Sequence, residues 1–402
     1  MTERRYDLDW LRIIAFGLLI LYHVGMFYVS WDWHVKSSRA SAAIEPLMLL
    51  SSPWRLSLLF LISGAATRFL ADKLSVGRFT LSRMGRLWPP LLLAVFVIVP
   101  PQAYYEVLDA MRLGQLAADP AWVDNFYLRY VTASGNWCDA EGCLTTPTYN
   151  HMWFVAYLIL YTLALVVVLP LLRRLPNLSG LIAGPLLIVT PWLVMATLRV
   201  TMLSEFGETH DFRNDWYLHA LYFSVFVFGF AIAKHQPFFD ACVRWRWPAL
   251  AIALSCWAAI IVYYNAHPDG VTPPEWLRLS MRAVRELDAW CAIVAAIGFA
   301  HKHLRGADGP VRRLLTQAIF PFYLVHQTII VAAGFHLDQM AWPLWIEAPL
   351  LIGVTALGCW LFFDLGRRVP PLRVWIGLPS KAGPARAKNE AVAGRRVEPS
   401  GG

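Results

Sequence analysis

The chain has 402 residues, 57% of them hydrophobic and only 15% charged, where a soluble domain carries about 25% charged residues. That balance excludes a water-soluble globular enzyme and points to an all-α polytopic membrane protein. The formal net charge of +8 does not argue for nucleic acid, because the basic residues fall in alternate connections, which is a topology signal.

Taken along the chain, the predicted elements are ten transmembrane helices. Residues 1–10 form a polar tail with Arg4 and Arg5. The apolar run behind it, about 11–31, is longer than the core of a cleavable signal and has no small-residue cleavage site, so it predicts a retained first span. Further runs near bilayer-spanning length fall at about 47–69, 87–105, 152–172, 180–200, 216–234, 247–265, 281–300, 315–335 and 344–366. The connections alternate in charge. On one side lie Arg4 and Arg5, the 70–86 loop (Lys73, Arg78, Arg83, Arg86), Arg173 and Arg174, Arg244 and Arg246, the 301–314 loop (Lys302, Arg305, Arg312, Arg313), and Arg367 and Arg368. On the other side the 106–151 loop (Glu106, Asp109, Asp119, Asp124, Asp139, Glu141) and the 201–215 loop (Glu205, Glu208, Asp211, Asp215) are acidic or mixed. The basic side is expected to be the cytoplasm, with both termini in it. The transmembrane unit is expected over 11–366. A basic tail, 367–402, follows and reads as disordered from about residue 377, where Ala, Gly, Pro and Arg dominate. Four of the six cysteines, Cys242, Cys256, Cys291 and Cys359, are in or near apolar runs and read as packing residues. Cys138 and Cys143 share one polar loop, where a disulfide is one of two open outcomes.

Ionisable residues at membrane depth are costly and mark functional sites. His23 lies eleven residues past Arg12, roughly 16 Å up the first helix. Arg55, eight residues into the second span from Leu47, sits roughly 12 Å below the opposite surface. The two are therefore expected at similar heights, with His326 of the ninth span near the same layer. His151 opens the fourth span in His151-Met152-Trp153-Phe154. A single histidine in a span is as readily a hydrogen-bonded packing residue as a chemical one, and a buried arginine is sometimes satisfied by carbonyls alone. Two histidines and an arginine converging on one layer favour chemistry. On the basic side, Asp9 and Arg12 are spaced to share a helix face, as are Arg83 and Arg86. Paired guanidiniums suit phosphate, although this spacing also fits ordinary topology anchors. Ser63-Gly64 is a small pair that permits close helix approach. No carboxylate joins the histidines at ligand spacing, so no metal is expected.

In order and spacing, Leu8-Asp9-Trp10-Leu11-Arg12 with His23, Phe60-Leu61-Ile62-Ser63-Gly64, Arg83-x-x-Arg86 before Pro89, His151-Met152-Trp153-Phe154, and Tyr323-Leu324-Val325-His326 resemble the acyltransferase-3 family of integral membrane acyltransferases. Within it, Ser30-Trp31-Asp32-Trp33-His34-Val35-Lys36-Ser37 and Arg55 resemble the glucan biosynthesis protein C branch, which is associated with adding succinyl groups to periplasmic glucans. The resemblance implies an O-acyltransferase of the bacterial inner membrane with no bound cofactor. It would move a succinyl or acetyl group from cytoplasmic acyl-CoA to a glycan hydroxyl outside. Arg12, Arg83 and Arg86 would hold the CoA phosphates, and the pantetheine arm would pass between the first two helices at Ser63-Gly64. His23 would act as general base, with His326 beside it, and Arg55 would hold an acyl carboxylate or an oxyanion. Trp33, His34, His151 and Trp153 would line the acceptor's approach. The rival reading is a transporter or flippase exporting a glycan or acyl precursor, against which the chain shows no repeated halves.

Overall fold

The computed structural model describes residues 5–117, 123–139, 142–172, 184–268 and 270–380. Among these, regular structure is helical apart from one isolated β-bridge between Cys138 and Cys143, which are also joined by a disulfide. The main helices are α1 (Tyr6–Tyr28), α2 (Arg55–Ala71), α3 (Val76–Leu93), α4 (Pro100–Arg112), α5 (Trp153–Leu172), α6 (Leu186–Phe206), α7 (Trp216–Ile232), α8 (Gln236–Ala266), α9 (Glu275–Leu304), α10 (Pro310–Gln339) and α11 (Leu344–Arg368).

Seven helices among the described residues are long and apolar enough to cross a membrane, with α3 and α4 counted as one continuous helix of 37 residues. The remaining three expected spans fall on α2 and α7, of 17 residues each, and on α9, which carries Arg278, Arg282, Arg285, Glu286 and Asp288 along its first half. Helices also run well past their apolar stretches. Arg83 and Arg86, expected in a loop, are on α3, and Arg244 and Arg246 are on α8. A helix satisfies its own backbone groups, so it need not stop where the apolar sequence stops.

Between α3 and α4 the chain makes a π-helical turn over Ala94–Ile98. Pro100 and Pro101 lack the N–H groups that would reach back four residues. The freed carbonyl of Phe96 instead accepts the Tyr127 hydroxyl at 2.9 Å, and those of Val95 and Ile98 accept Tyr130 at 3.0 Å and Thr328 at 2.6 Å. This turn ties α4 to α10 beside the site described below.

The outward faces are apolar: Val167, Leu193, Val262 and Leu361 are exposed. The buried set includes Arg55, Gln102, His151, Glu286, His326 and Gln327. Polar groups inside and leucine outside is the distribution a lipid solvent imposes. α1 packs against α2, α9 and α10. The close helix approach expected at Ser63-Gly64 is made by Gly64 to α7. A Cβ there would lie 1.9 Å from the Phe226 carbonyl oxygen, and one at Gly229 would lie 2.1 Å from that of Leu61. Backbone therefore meets backbone between α2 and α7, and Ser63 is left facing a cavity on the other side.

After α1 a strap over residues 29–44 crosses the end of the bundle. Lys36 Nζ donates to the Met26 and Trp31 carbonyls at 2.6 and 2.7 Å, Ser38 N donates to Asp338 at 2.7 Å, and Arg39 donates to the Ala341 carbonyl at 2.7 Å. At the other end of the chain, a short helix, Pro370–Trp375, follows α11, and Ile376 and Leu378 are buried against the bundle. Of the stretch expected to be disordered from about 377, Gly377 and Leu378 are buried and Pro379 and Ser380 are exposed. Residues 381–402 lie outside the described residues, as do Arg4, Asp119, Glu141, Arg173 and Arg174.

Candidate active site

Two cavities meet within the bundle. The first, about 610 Å³, is basic, with Arg12, Lys73, Arg83 and Arg86 in its lining together with Asp9, Ser63 and Gln317. Arg12 Nη2 donates to the Thr316 carbonyl at 3.0 Å, while Arg83 Nε and Nη2 are buried with no hydrogen-bond partner among the described residues. The motif that brings Arg12 here has a second task. Asp9 accepts from Arg312 at 2.5 Å, and the Trp10 indole donates to the Ala307 carbonyl at 2.9 Å. Asp9 and Trp10 thus clamp the α9–α10 turn onto α1.

The second cavity, about 250 Å³, is lined by Tyr22, His23, Trp33, Arg55, His151, Trp153, Phe154, Arg199, Glu208, His210, Tyr222, Arg285 and Glu286 among others. Phe154 lines both cavities. Its ring packs 6.1 Å from Phe16 and 6.1 Å from Tyr323, with Phe16 and Tyr323 5.1 Å apart. This aromatic cluster is the wall between them.

The hydrogen bonds around His23 fix its chemistry. His326 Nδ1 lies 2.7 Å from the Tyr323 carbonyl oxygen. A carbonyl only accepts, so Nδ1 carries the proton and Nε2 of the neutral ring is an acceptor. His23 Nδ1 lies 2.7 Å from that Nε2 and must be the donor. The proton of neutral His23 is thereby placed on Nδ1, and the lone pair on Nε2 is available at a residue that lines the cavity. His326 is fully buried and outside that lining, so it acts through His23 and is a positioning residue.

His151 is committed on both nitrogens. Nε2 donates to the Leu324 carbonyl at 3.1 Å, Nδ1 faces the Gln102 amide at 3.4 Å, and its own carbonyl accepts the Tyr323 hydroxyl. Gln102 is the hub of a polar network that the sequence reading missed. Its Nε2 donates to Thr328 at 2.7 Å, and its Oε1 accepts from Asn150 at 3.1 Å and Gln327 at 3.2 Å. Gln327 also meets His34 Nε2 at 2.9 Å, and His34 Nδ1 bonds Glu106 at 2.5 Å. Burial pulls the His34 imidazole down, but the Glu106 carboxylate outweighs it and holds the group above its ordinary value. Of the four residues expected along the acceptor's approach, Trp33, His151 and Trp153 line the cavity, and His34 is held in this network instead. A polar residue inside an apolar run, such as Gln327 directly after His326, was the available signal for it.

Arg55 is 5% exposed, with its guanidinium 3.3 Å above the Tyr22 ring. His23 and Arg55, expected at one depth, share one cavity. The aromatic and charged residues from α6, α7, α9 and the 207–215 loop were not anticipated. They include His210, its ring centroid 4.4 Å from that of Trp153, and Arg199, bonded to Glu208 and Glu286.

The chain is 20% identical to the glucans biosynthesis protein C of Escherichia coli strain K12 over 384 residues, covering 92% of this chain and 94% of that protein. The proteins of the same name in Escherichia coli O9:H4 (strain HS) and O139:H28 (strain E24377A) are likewise 20% identical, with the same coverage. No solved structure matches the chain. The family described as acyltransferase domain matches residues 5–364, and on that extent the chain belongs to this family of acyltransferases, as a multi-pass membrane enzyme.

Proposed function

We propose that the protein is an inner-membrane O-acyltransferase with ten spans and both termini in the cytoplasm, which takes an acetyl or succinyl group from acyl-CoA and esterifies a glycan hydroxyl on the far side. The observation that carries this reading is the available Nε2 lone pair of His23, oriented by His326 in a cavity that backs onto a basic one. Arg12, Arg83 and Arg86 hold the CoA phosphates by charge-assisted hydrogen bonds, with Ser63 beside the pantetheine arm. The acyl group crosses at Phe154.

An acceptor hydroxyl in the second cavity gives its proton to His23 Nε2 as its oxygen attacks the thioester carbonyl carbon. The carbon–sulfur bond then breaks, and the proton passes from Nε2 to the departing sulfur. The products are an ester and CoA with a free thiol, so protons balance without solvent. The proton does not leave through His326, because that chain ends on a carbonyl. His23 therefore serves as base and then acid at one nitrogen, which calls for donor and acceptor to be bound together. The resemblance to the Escherichia coli glucans biosynthesis proteins supports a glucan as acceptor.

The test is turnover of acyl-labelled CoA by the purified protein in lipid. Release of CoA that requires the glycan, with label recovered on the glycan by mass spectrometry, is expected. Movement of glycan across the membrane with no label transferred would make the protein a transporter.

A further inference from the structure

We propose that the histidine cavity contains a binding subsite for an oxyanion, a carboxylate or a phosphate, held between Arg55 and Arg285 and supplied by one of the two substrates. The transfer reading above is needed only to name those substrates. Arg55 is a buried cation whose Nε and Nη1 have no hydrogen-bond partner among the described residues. Its guanidinium lies over the face of Tyr22, which covers a charge without neutralising it. A buried ion left without a counter-charge is strongly destabilising.

Arg285, brought in from α9, adds to the problem. Its guanidinium lines the same cavity as that of Arg55, so two like charges face one enclosed space. Among the described residues its side chain makes one hydrogen bond, to Ser52 Oγ at 3.4 Å. The two carboxylates of the cavity, Glu208 and Glu286, are both bonded to a third arginine, Arg199, at 2.9 and 3.2 Å. Among the side chains that line the cavity, three arginines against two glutamates leave one positive charge in excess, and a further carboxylate, Asp288 of α9, faces Arg285 from outside the lining. A ligand anion between Arg55 and Arg285 cancels that charge and fills the open donors, in the planar geometry a guanidinium favours. A transition-state oxyanion does not meet this need, since the excess charge is present throughout the resting state. Nor do the CoA phosphates, which belong to the cavity on the other side of Phe154. The anion is either a free carboxylate at the end of the acyl group or an acidic group on the acceptor.

The purified full chain in detergent is titrated calorimetrically at low salt with four probes: monomethyl succinate for the acyl tail, glucuronate and glucose 6-phosphate for an acidic glycan, and glucose as the neutral control. The charged probes are expected to bind in preference to glucose. Arg285→Gln is expected to weaken them by at least about ten-fold while leaving acyl-CoA binding at the basic cavity intact, which also reports folding. Arg285→Lys should recover part of the affinity. Binding of monomethyl succinate alone assigns the anion to the donor, and binding of the acidic sugars assigns it to the acceptor. If wild type binds glucose as well as the charged probes, or if Arg285→Gln leaves their affinity unchanged, the subsite does not exist. Because binding is read without turnover, either result leaves the transfer reading standing, and absent turnover with anion binding intact overturns the transfer reading alone.

Discussion

Replacing His326 by leucine removes the acceptor that fixes the tautomer of His23, and the structure gives the size of the loss. The His23 Nδ1 to His326 Nε2 bond is 2.7 Å. When His23 takes up the acceptor's proton at Nε2, the ring becomes cationic and this bond becomes charge-assisted, contributing about 1.5–3 kcal/mol. Losing it should slow transfer roughly 10- to 150-fold. His326→Gln keeps an amide oxygen that accepts from Nδ1 and should fall between leucine and wild type. His23→Gln, which removes the base, should cost about 10²- to 10⁴-fold. The assay is chromatographic measurement of CoA release in lipid nanodiscs, with donor and acceptor varied separately. The fall is expected in kcat with the donor KM unchanged, because the basic cavity lies beyond Phe154. A His326→Leu enzyme at wild-type rate refutes the tautomer argument. A His23→Gln enzyme that still turns over while His326→Gln is inactive assigns the base to His326.

Four further outcomes are expected. Arg83→Ala and Arg86→Ala should each weaken acyl-CoA binding at least several-fold and reduce its salt dependence, and normal binding by the double variant makes them topology anchors only. A cysteine introduced at Arg78 should resist an impermeant thiol reagent from outside and one at Asp124 should react; the native free cysteines are buried, and labelling at 78 inverts the topology. Gly64→Val should lower the thermal midpoint in detergent, because a Cβ there meets the Phe226 carbonyl at 1.9 Å and overpacking costs about 1–3 kcal/mol or more; an unchanged midpoint shows that α2 and α7 separate freely. The His34–Glu106 pair raises the imidazole in the folded state, so its stabilisation is full below the ordinary histidine value of about 6.5 and fades as pH rises through the folded one. Unfolding midpoints should show that decline, and Glu106→Gln should flatten it; a decline that persists in the variant places the titrating group elsewhere.

The sequence by itself determined the solvent and the class of element. A chain so poor in charge, with runs of about twenty apolar residues, can satisfy its backbone in lipid only as helices. It also named His23, Arg55, Arg83 and Arg86 by depth and spacing, since 1.5 Å of rise per residue is enough to put His23 and Arg55 in one layer. Only the tertiary structure decided what those residues can do. The role of His326 depends on a carbonyl at Tyr323 and a ring nitrogen on another helix, and no spacing encodes a contact between residues 303 positions apart. The turning of Gly64 toward α7, the Gln102 network and the placing of Arg285 in one cavity with Arg55 were invisible for the same reason. Helical periodicity reports which face a residue occupies, whereas the partner on that face is set by how the helices pack.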